Sequence, residues 1–268
     1  MQIRKEYKYM VHRDKLDALR ERLLPFVELD GYVKKGNGFD YVVRSVYFDT
    51  GKMNYYTEKD AGVKDRKKFR IRGYDKTDEN TLVFLEVKRK NDEIVWKNRS
   101  PVKFKDLQKL LLTRDIENLV HQHPKFPNAA YDANVFLYYL YSQYLVPVIL
   151  IVYDREPFFS KFNSDLRITF DKNIRSKVCT EMDGIFSEHK EIYAINDYFV
   201  LEIKFNYGYP LWLTNIIKDF GLVRQAVSKY SICIDNHISE IESLFRRPSI
   251  ETFNDHLINE KNFNEVLA

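Results

Sequence analysis

Alternation of apolar and polar side chains recurs along this chain, and each such stretch predicts a half-buried β-strand. Lys68, Arg70 and Arg72 fall on one face of such a strand, with Phe69 and Ile71 on the other. Glu86, Lys88 and Lys90 stand opposite Val83, Leu85 and Val87, and Lys97 and Arg99 stand opposite Ile94 and Trp96. Residues 3–10 set Arg4, Glu6 and Lys8 together, while 41–49 set Arg44 and Phe48 against Tyr47 and Asp49. After Pro147 comes VILIVYDREPF, where Tyr153 and Arg155 share a face. Residues 166–171 align Arg167, Thr169 and Asp171, and YFVLEIKF sets Glu202 and Lys204 opposite Phe199, Leu201 and Ile203.

Helical spacing takes over between the strands. Asp14 reads as the N-cap of a short helix, LDALRERLL, stopped by Pro25. Phe104, Leu107, Leu110 and Leu111 repeat at helical intervals, as does the aromatic stretch 136–144, and 210–220 and 238–245 also read as helices. Residues 31–38 form a polar, glycine-bearing loop, and 50–65 a short helix or lid.

The count comes to about eight strands, most with a charged face. A sheet of that size that closes on itself, with helices against its apolar side, turns the charged rows inward. The expected fold is therefore α+β: a closed eight-stranded antiparallel β-barrel, a tunnel, with helices packed on its outer face. It is expected as one domain over 1–268, with a helical insertion around 103–146 and a peripheral tail from about 248.

A polar face on one strand ordinarily means only that it meets water. Here the rows are dominated by cations and recur, although the net charge is only +4, so any affinity for polyanions depends on where the charges sit. The 19 Tyr and 19 Phe fall mostly on the apolar faces, which argues against nucleic acid as a partner. Cys179 and Cys233 are too few for a disulfide framework or a thiolate zinc site. His121 and His123 in the HQHPKFPN loop lack a third metal ligand nearby. Neither a signal core nor a membrane-length apolar run is seen, so the cytoplasm is the expected location. The absence of GxxxxGK[ST], GxGxxG and GxSxG excludes the common nucleotide loops and most nucleophilic hydrolases.

KEYKY, RSVYFDT, KFRIRGY, LEVKRK, LEIKF and a later SKY, in this order from Arg4 to Tyr230, resemble the VTC-type polyphosphate polymerase domain of the triphosphate tunnel metalloenzymes (CYTH-like). The resemblance implies a basic tunnel open at both ends that binds ATP or another triphosphate, or polyphosphate, with a divalent metal, Mn²⁺ or Mg²⁺. It implies transfer of the terminal phosphate of ATP to a growing polyphosphate chain. Lys8, Arg70, Arg72, Lys88, Arg155, Arg167 and Lys229 match the family's phosphate-binding cations, and Glu202 its metal-binding glutamate. Arg44, Lys90, Lys97, Arg99 and Lys204 are further candidates for substrate binding, and Glu6 for metal. A membrane partner receiving the product is compatible with this reading and is not identified by the sequence.

The cation rows suit phosphoryl transfer, which is governed by positioning and by neutralising charge on oxygens. Glu6, Glu86 and Glu202 are the expected counter-charges. Hydrolytic members begin with E-x-E-x-K, whereas this chain has Arg4-x-Glu6-x-Lys8. Loss of the first acid disfavours water as the nucleophile and favours a phosphate oxygen. A tunnel triphosphatase and a non-catalytic polyanion-binding module remain the alternatives.

Overall fold

The computed structural model describes residues 5–31, 33, 39–75, 78–91, 94–162, 165–187, 191–206 and 208–245. The tail expected from 248 and most of the 31–38 loop lie outside the described residues. The strands are β1 (Lys5–His12), β2 (Val27–Leu29), β3 (Tyr41–Asp49), β4 (Asp65–Gly73), β5 (Leu82–Asn91), β6 (Ile94–Lys103), β7 (Val146–Ser160), β8 (Arg167–Val178), β9 (Ile192–Tyr193) and β10 (Tyr198–Phe205). They form one antiparallel sheet with the path β1-β10-β8-β7-β3-β4-β5-β6, and the short β2 and β9 pair with β7 and β8.

The expected closure is not formed by hydrogen bonds: β1 and β6 end the path and share no ladder among the described residues. The sheet nevertheless curls. Lys88 on β5 reaches Glu6 on β1 at 3.5 Å, although the two strands lie near opposite ends of the path. The outer edge of β1 is covered by a connecting segment instead. Tyr9 bridges Arg224, and the Gln225 N–H donates to the Lys8 carbonyl at 2.9 Å.

Apolar alternation drives helices onto the outside of the curl. Between β6 and β7 come α3 (Phe104–Thr113), α4 (Ile116–Leu119) and α5 (Ala129–Ser142). Helix α5 buries Ala129, Ala133, Phe136, Leu137 and Leu140, spaced to lie on one side, against Phe48, Phe69, Ile71, Val83 and Leu85. On the other flank α1 (Leu16–Leu23) and α6 (Leu211–Asp219) bury Leu19, Leu23, Leu213 and Ile216 against Ile168, Leu201 and Ile203. Helix α1 does not start as expected. Asp14 sits inside a 3-10 turn, Arg13–Lys15, and it is His12 Nδ1 that accepts the Asp14 N–H.

Two helices depart from the outer-face expectation. Helix α7 (Lys229–Asn236), which alternation does not reveal, leads into α8 (Ile238–Phe245). Tyr230, Cys233 and Ile234 of α7 and Ile241 of α8 pack with Val43, Ile149, Ile151, Ile174 and Val200. Tyr47, from the same cluster, stacks on Tyr230 and accepts a hydrogen bond from Arg70, so α7 lies on the charged, inner side. Part of the inner side is thus covered by α7. Asp49 fixes this arrangement. Its carboxylate accepts the N–H groups of Tyr55 and Tyr56 in α2 (Asn54–Asp60) and the Tyr230 hydroxyl at 2.7 Å.

Candidate phosphate-binding site

Strand register decides which charges meet. On the inner face one row runs Arg70, Glu86, Arg99 across β4, β5 and β6, and the next runs Lys68, Lys88, Lys97. The first row is compensated. Arg70 donates to Glu86 at 2.7 Å and to the Tyr47 hydroxyl at 2.8 Å, while Lys97 and Arg99 approach Glu86 at 2.6 and 3.3 Å. Burial alone would raise the Glu86 carboxyl; Arg70, Arg72, Lys97 and Arg99 together hold it well below its usual range. The second row sets like charges directly opposite one another, a destabilising arrangement in a sheet.

Arg72, beside these rows, and Lys68, within them, have no carboxylate partner among the described residues. Arg72, which is 6% exposed, donates to Ser45 Oγ and the Tyr153 hydroxyl, both at 3.2 Å. Lys68 donates to Ser228 Oγ at 2.8 Å and lies 5.3 Å from the Tyr230 ring centroid. Burial, then Lys8, Lys88 and Arg70, holds the Lys68 amine well below its ordinary range. Burial likewise lowers Lys97, to about 7, against the opposing pull of Glu86.

The other half of the curl brings in β1, β7, β8, β10 and α7. Arg155 holds Asp171 with two hydrogen bonds of 2.6 and 2.8 Å, and Lys229, first residue of α7, reaches Asp171 at 2.5 Å. Glu202 pairs with Lys204 and lies 3.8 Å from Lys229 and 4.0 Å from Arg155. Glu6 pairs with Lys8 at 2.9 Å. Burial and Glu202 push the Glu6 carboxyl up; Lys8, Lys88 and Lys204 outweigh them and bring it to about 2. Arg167 is held by Asp30 at 3.4 Å, against the Phe159 ring.

Of the residues singled out by sequence, Lys8, Arg70, Arg72, Lys88, Lys97, Arg99, Arg155, Lys204, Lys229, Glu6 and Glu202 are linked through these contacts on one face. Arg167 stands beside this group, sharing Tyr41 with Arg155 as a common neighbour. Lys90 lines the wall of a cavity beyond Lys88. Arg44 does not join them. It donates to the Ile185 carbonyl and pairs with Glu191 at 3.5 Å, on the face of β3 opposite Tyr47. Alternation had already set Arg44 with Phe48, whose ring is in the outer core. The partners Asp171, Ser228 and Tyr153 were not singled out for the site. Asp171 shared a predicted face with Arg167, a signal that could have marked it.

The VTC domain family model matches residues 3–237 of the chain. No curated protein sequence matches it. Among solved structures, a candidate adenylate cyclase of Bacillus halodurans is similar at 14% identity, covering 85% of this chain and 94% of that one, with a TM-score of 0.45. A candidate adenylyl cyclase of Hippeastrum, described as having a dominant triphosphatase activity, is similar at 13% identity, covering 86% and 95%, with a TM-score of 0.43.

Proposed function

The chain belongs to the VTC domain family, and on that premise we propose that it is a metal-dependent polyphosphate polymerase using ATP. The observation that carries this reading is the row of facing lysines Lys68, Lys88 and Lys97 beside Arg72, in which Lys68 and Arg72 have no carboxylate partner among the described residues, a set of charges that a polyphosphate would satisfy. Arg72 and Arg70 offer guanidinium forks to phosphate oxygens, and the lysines offer point charges around them. Tyr47 and Tyr153 orient the two arginines through their hydroxyls.

The donor set fits a hard divalent ion, Mn²⁺ or Mg²⁺. Such ions take one or two carboxylates and complete their shell with water and substrate oxygens. Glu202 and Glu6 are oxygen donors on neighbouring strands and on one face. Across from Glu202, the buried Thr169 Oγ1 has no hydrogen-bond partner among the described residues. No cluster of three or more His, Cys, Asp or Glu among the described residues would cage an ion by itself, so substrate oxygens would complete the shell. When bound, the ion would neutralise phosphate oxygens.

The proposed reaction needs little more than alignment. A terminal oxygen of the acceptor chain attacks the γ-phosphorus of ATP, the bond to the β–γ bridging oxygen breaks, and ADP leaves with that electron pair. The acceptor is already an anion, so no proton is removed. Water would need a base, and Glu6 and Glu202, both held low by cations, are weak ones. This favours transfer over hydrolysis.

Incubating the protein with ATP and Mn²⁺ and separating the products on a polyacrylamide gel tests the proposal. A ladder of polyphosphate together with ADP is expected. Orthophosphate without polymer would replace it with a triphosphatase, and polyanion binding without either product would replace it with a binding module.

A further inference from the structure

Helix α7 places two groups in the phosphate site from its first turn. Lys229 reaches Asp171 at 2.5 Å and lies 3.8 Å from Glu202 and 5.0 Å from the Tyr153 ring centroid. Ser228, the N-cap, takes the hydrogen bond of Lys68 at 2.8 Å and accepts the Ser231 N–H. Deeper in the helix, Cys233 and Ile234 pack with Ile149, Ile151, Ile174 and Val200. Apolar contact is non-directional, so it selects the buried face of the helix without fixing where the first turn sits. A directed bond has to do that.

Tyr230 makes such a bond. Its hydroxyl donates to Asp49 Oδ2 at 2.7 Å, and its ring stacks on Tyr47 with 5.0 Å between centroids. Asp49 is fully buried and cannot follow a moving helix, because it also accepts the N–H groups of Thr50, Tyr55 and Tyr56 at 2.7, 3.0 and 2.9 Å. Burial and the Asp49 charge push the Tyr230 hydroxyl well above its ordinary range, so it keeps its proton and stays a donor. Along the sheet path β10-β8-β7-β3 the two adjacent residues reach opposite ways: Lys229 meets β8 and β10, and Tyr230 meets β3. A hydrogen bond weakens steeply as its geometry departs from the ideal. The bond from Tyr230 to Asp49 therefore sets how far from β3 the Lys229 backbone stands. The far end of α7 is tied separately, by the Tyr56 hydroxyl to Asp235 at 2.5 Å, so loss of the Tyr230 hydroxyl frees the first turn without releasing the helix.

We propose that Asp49 is a positioning residue of the phosphate site: acting through the Tyr230 hydroxyl, it holds the first turn of α7 where the Lys229 ammonium meets a bound phosphate. This rests on the phosphate-binding reading above and extends it to a buried carboxylate that stands apart from the rows of cations.

Removing the Asp49 carboxylate would strip three backbone N–H groups of their acceptor and threaten the fold, so the test removes the hydroxyl instead. Tyr230→Phe keeps the ring and its stack on Tyr47. Tripolyphosphate binding is measured by calorimetry without nucleotide or metal, well below the melting temperature of each protein. Tyr230→Phe should lose about fivefold or more in affinity. Lys229→Gln should lose affinity as well, and adding Tyr230→Phe to it should cost nothing further, because the hydroxyl acts through Lys229. Unchanged affinity in Tyr230→Phe, even with a lower melting temperature, would make the bond purely structural, and equal losses in the two backgrounds would place its action elsewhere than at Lys229; both results overturn the proposal. A wild type without affinity for tripolyphosphate would overturn it together with the phosphate reading. Synthesis is not part of the measurement. A protein that shows the expected cycle yet makes no polymer keeps the positioning role and loses only the polymerase reading.

Discussion

Lys68 and Lys88 face each other directly across the β4–β5 ladder, and only Lys88 reaches a carboxylate. A bound anion would relieve the conflict between these two like charges.

One outcome is proton uptake. In the empty protein burial, Lys8, Lys88 and Arg70 keep the Lys68 amine well below its usual range. A polyanion beside it favours the charged form, so the bound state holds more protons and affinity rises as pH falls toward neutrality from the alkaline side. Calorimetry of tripolyphosphate binding in buffers of different ionisation enthalpy measures this. Wild type should take up more protons than Lys68→Gln; equal uptake would remove Lys68 from the linkage.

Lys97 gives a second pH dependence, with the sign set by its lowered value. Its amine is at about 7 folded against 10.5 ordinarily. Above 10.5 both states are neutral and Lys97 costs nothing; as pH falls from there to about 7 the unfolded chain gains a proton that the folded one refuses, and stability is lost. Lys97→Gln should melt higher than wild type near neutral pH, with the difference shrinking as pH rises. Urea titrations at several pH values would reveal a constant difference if this is wrong.

Arg72 and Arg70 should separate binding from stability. Arg72→Met breaks no ion pair, so the ligand-free protein should lose little stability or gain some. Its tripolyphosphate affinity should fall by about 10- to 150-fold, one charge-assisted contact of roughly 1.5–3 kcal/mol. Arg70→Met takes a partner from buried Glu86 and should cost the ligand-free protein about 1–3 kcal/mol. Paired thermal melts with and without ligand check both, and identical behaviour of the two variants would contradict the assignment.

Glu202→Gln should abolish metal-dependent turnover while metal-free tripolyphosphate binding holds or tightens, because Lys204, Lys229 and Arg155 lose a competitor. Burial works to raise the Glu202 carboxyl, and the surrounding cations hold it well below 4.5. Its ionic contribution is therefore present above pH 4.5 and is lost as pH falls below that, through the folded value. Turnover near the wild-type rate would remove Glu202 as a metal ligand.

Much of this site is legible from side-chain alternation, because a two-residue period fixes the face of every residue on a strand. It set Arg70 with Arg72, Glu86 with Lys88, and Lys97 with Arg99, as the register confirms. Alternation also separated Arg44 from Tyr47, and it was the resemblance of RSVYFDT that drew Arg44 into the candidate set. Which strands meet edge to edge is another matter. That depends on pairings distant in sequence, so neither the open β1–β6 seam nor the seating of α7 inside the curl could be read from local pattern. Helix α7 mixes Lys229, Tyr230 and Asp235 with only a short apolar stripe, too little to announce which side of the sheet it would cover.

The pairing of β1 with β10 also bears on how the chain is made. Lys5 pairs with Phe205 and His12 with Tyr198, so β1 leaves the ribosome long before its hydrogen-bonding partner exists. Its cover over the other edge, around Arg224 and Gln225, arrives later still. Until β10 emerges, neither edge of the β1 segment has its partner, the condition that invites pairing between neighbouring nascent chains. Lys8 and Glu6 place charge on that segment while it waits, and charge on a bare edge works against such pairing.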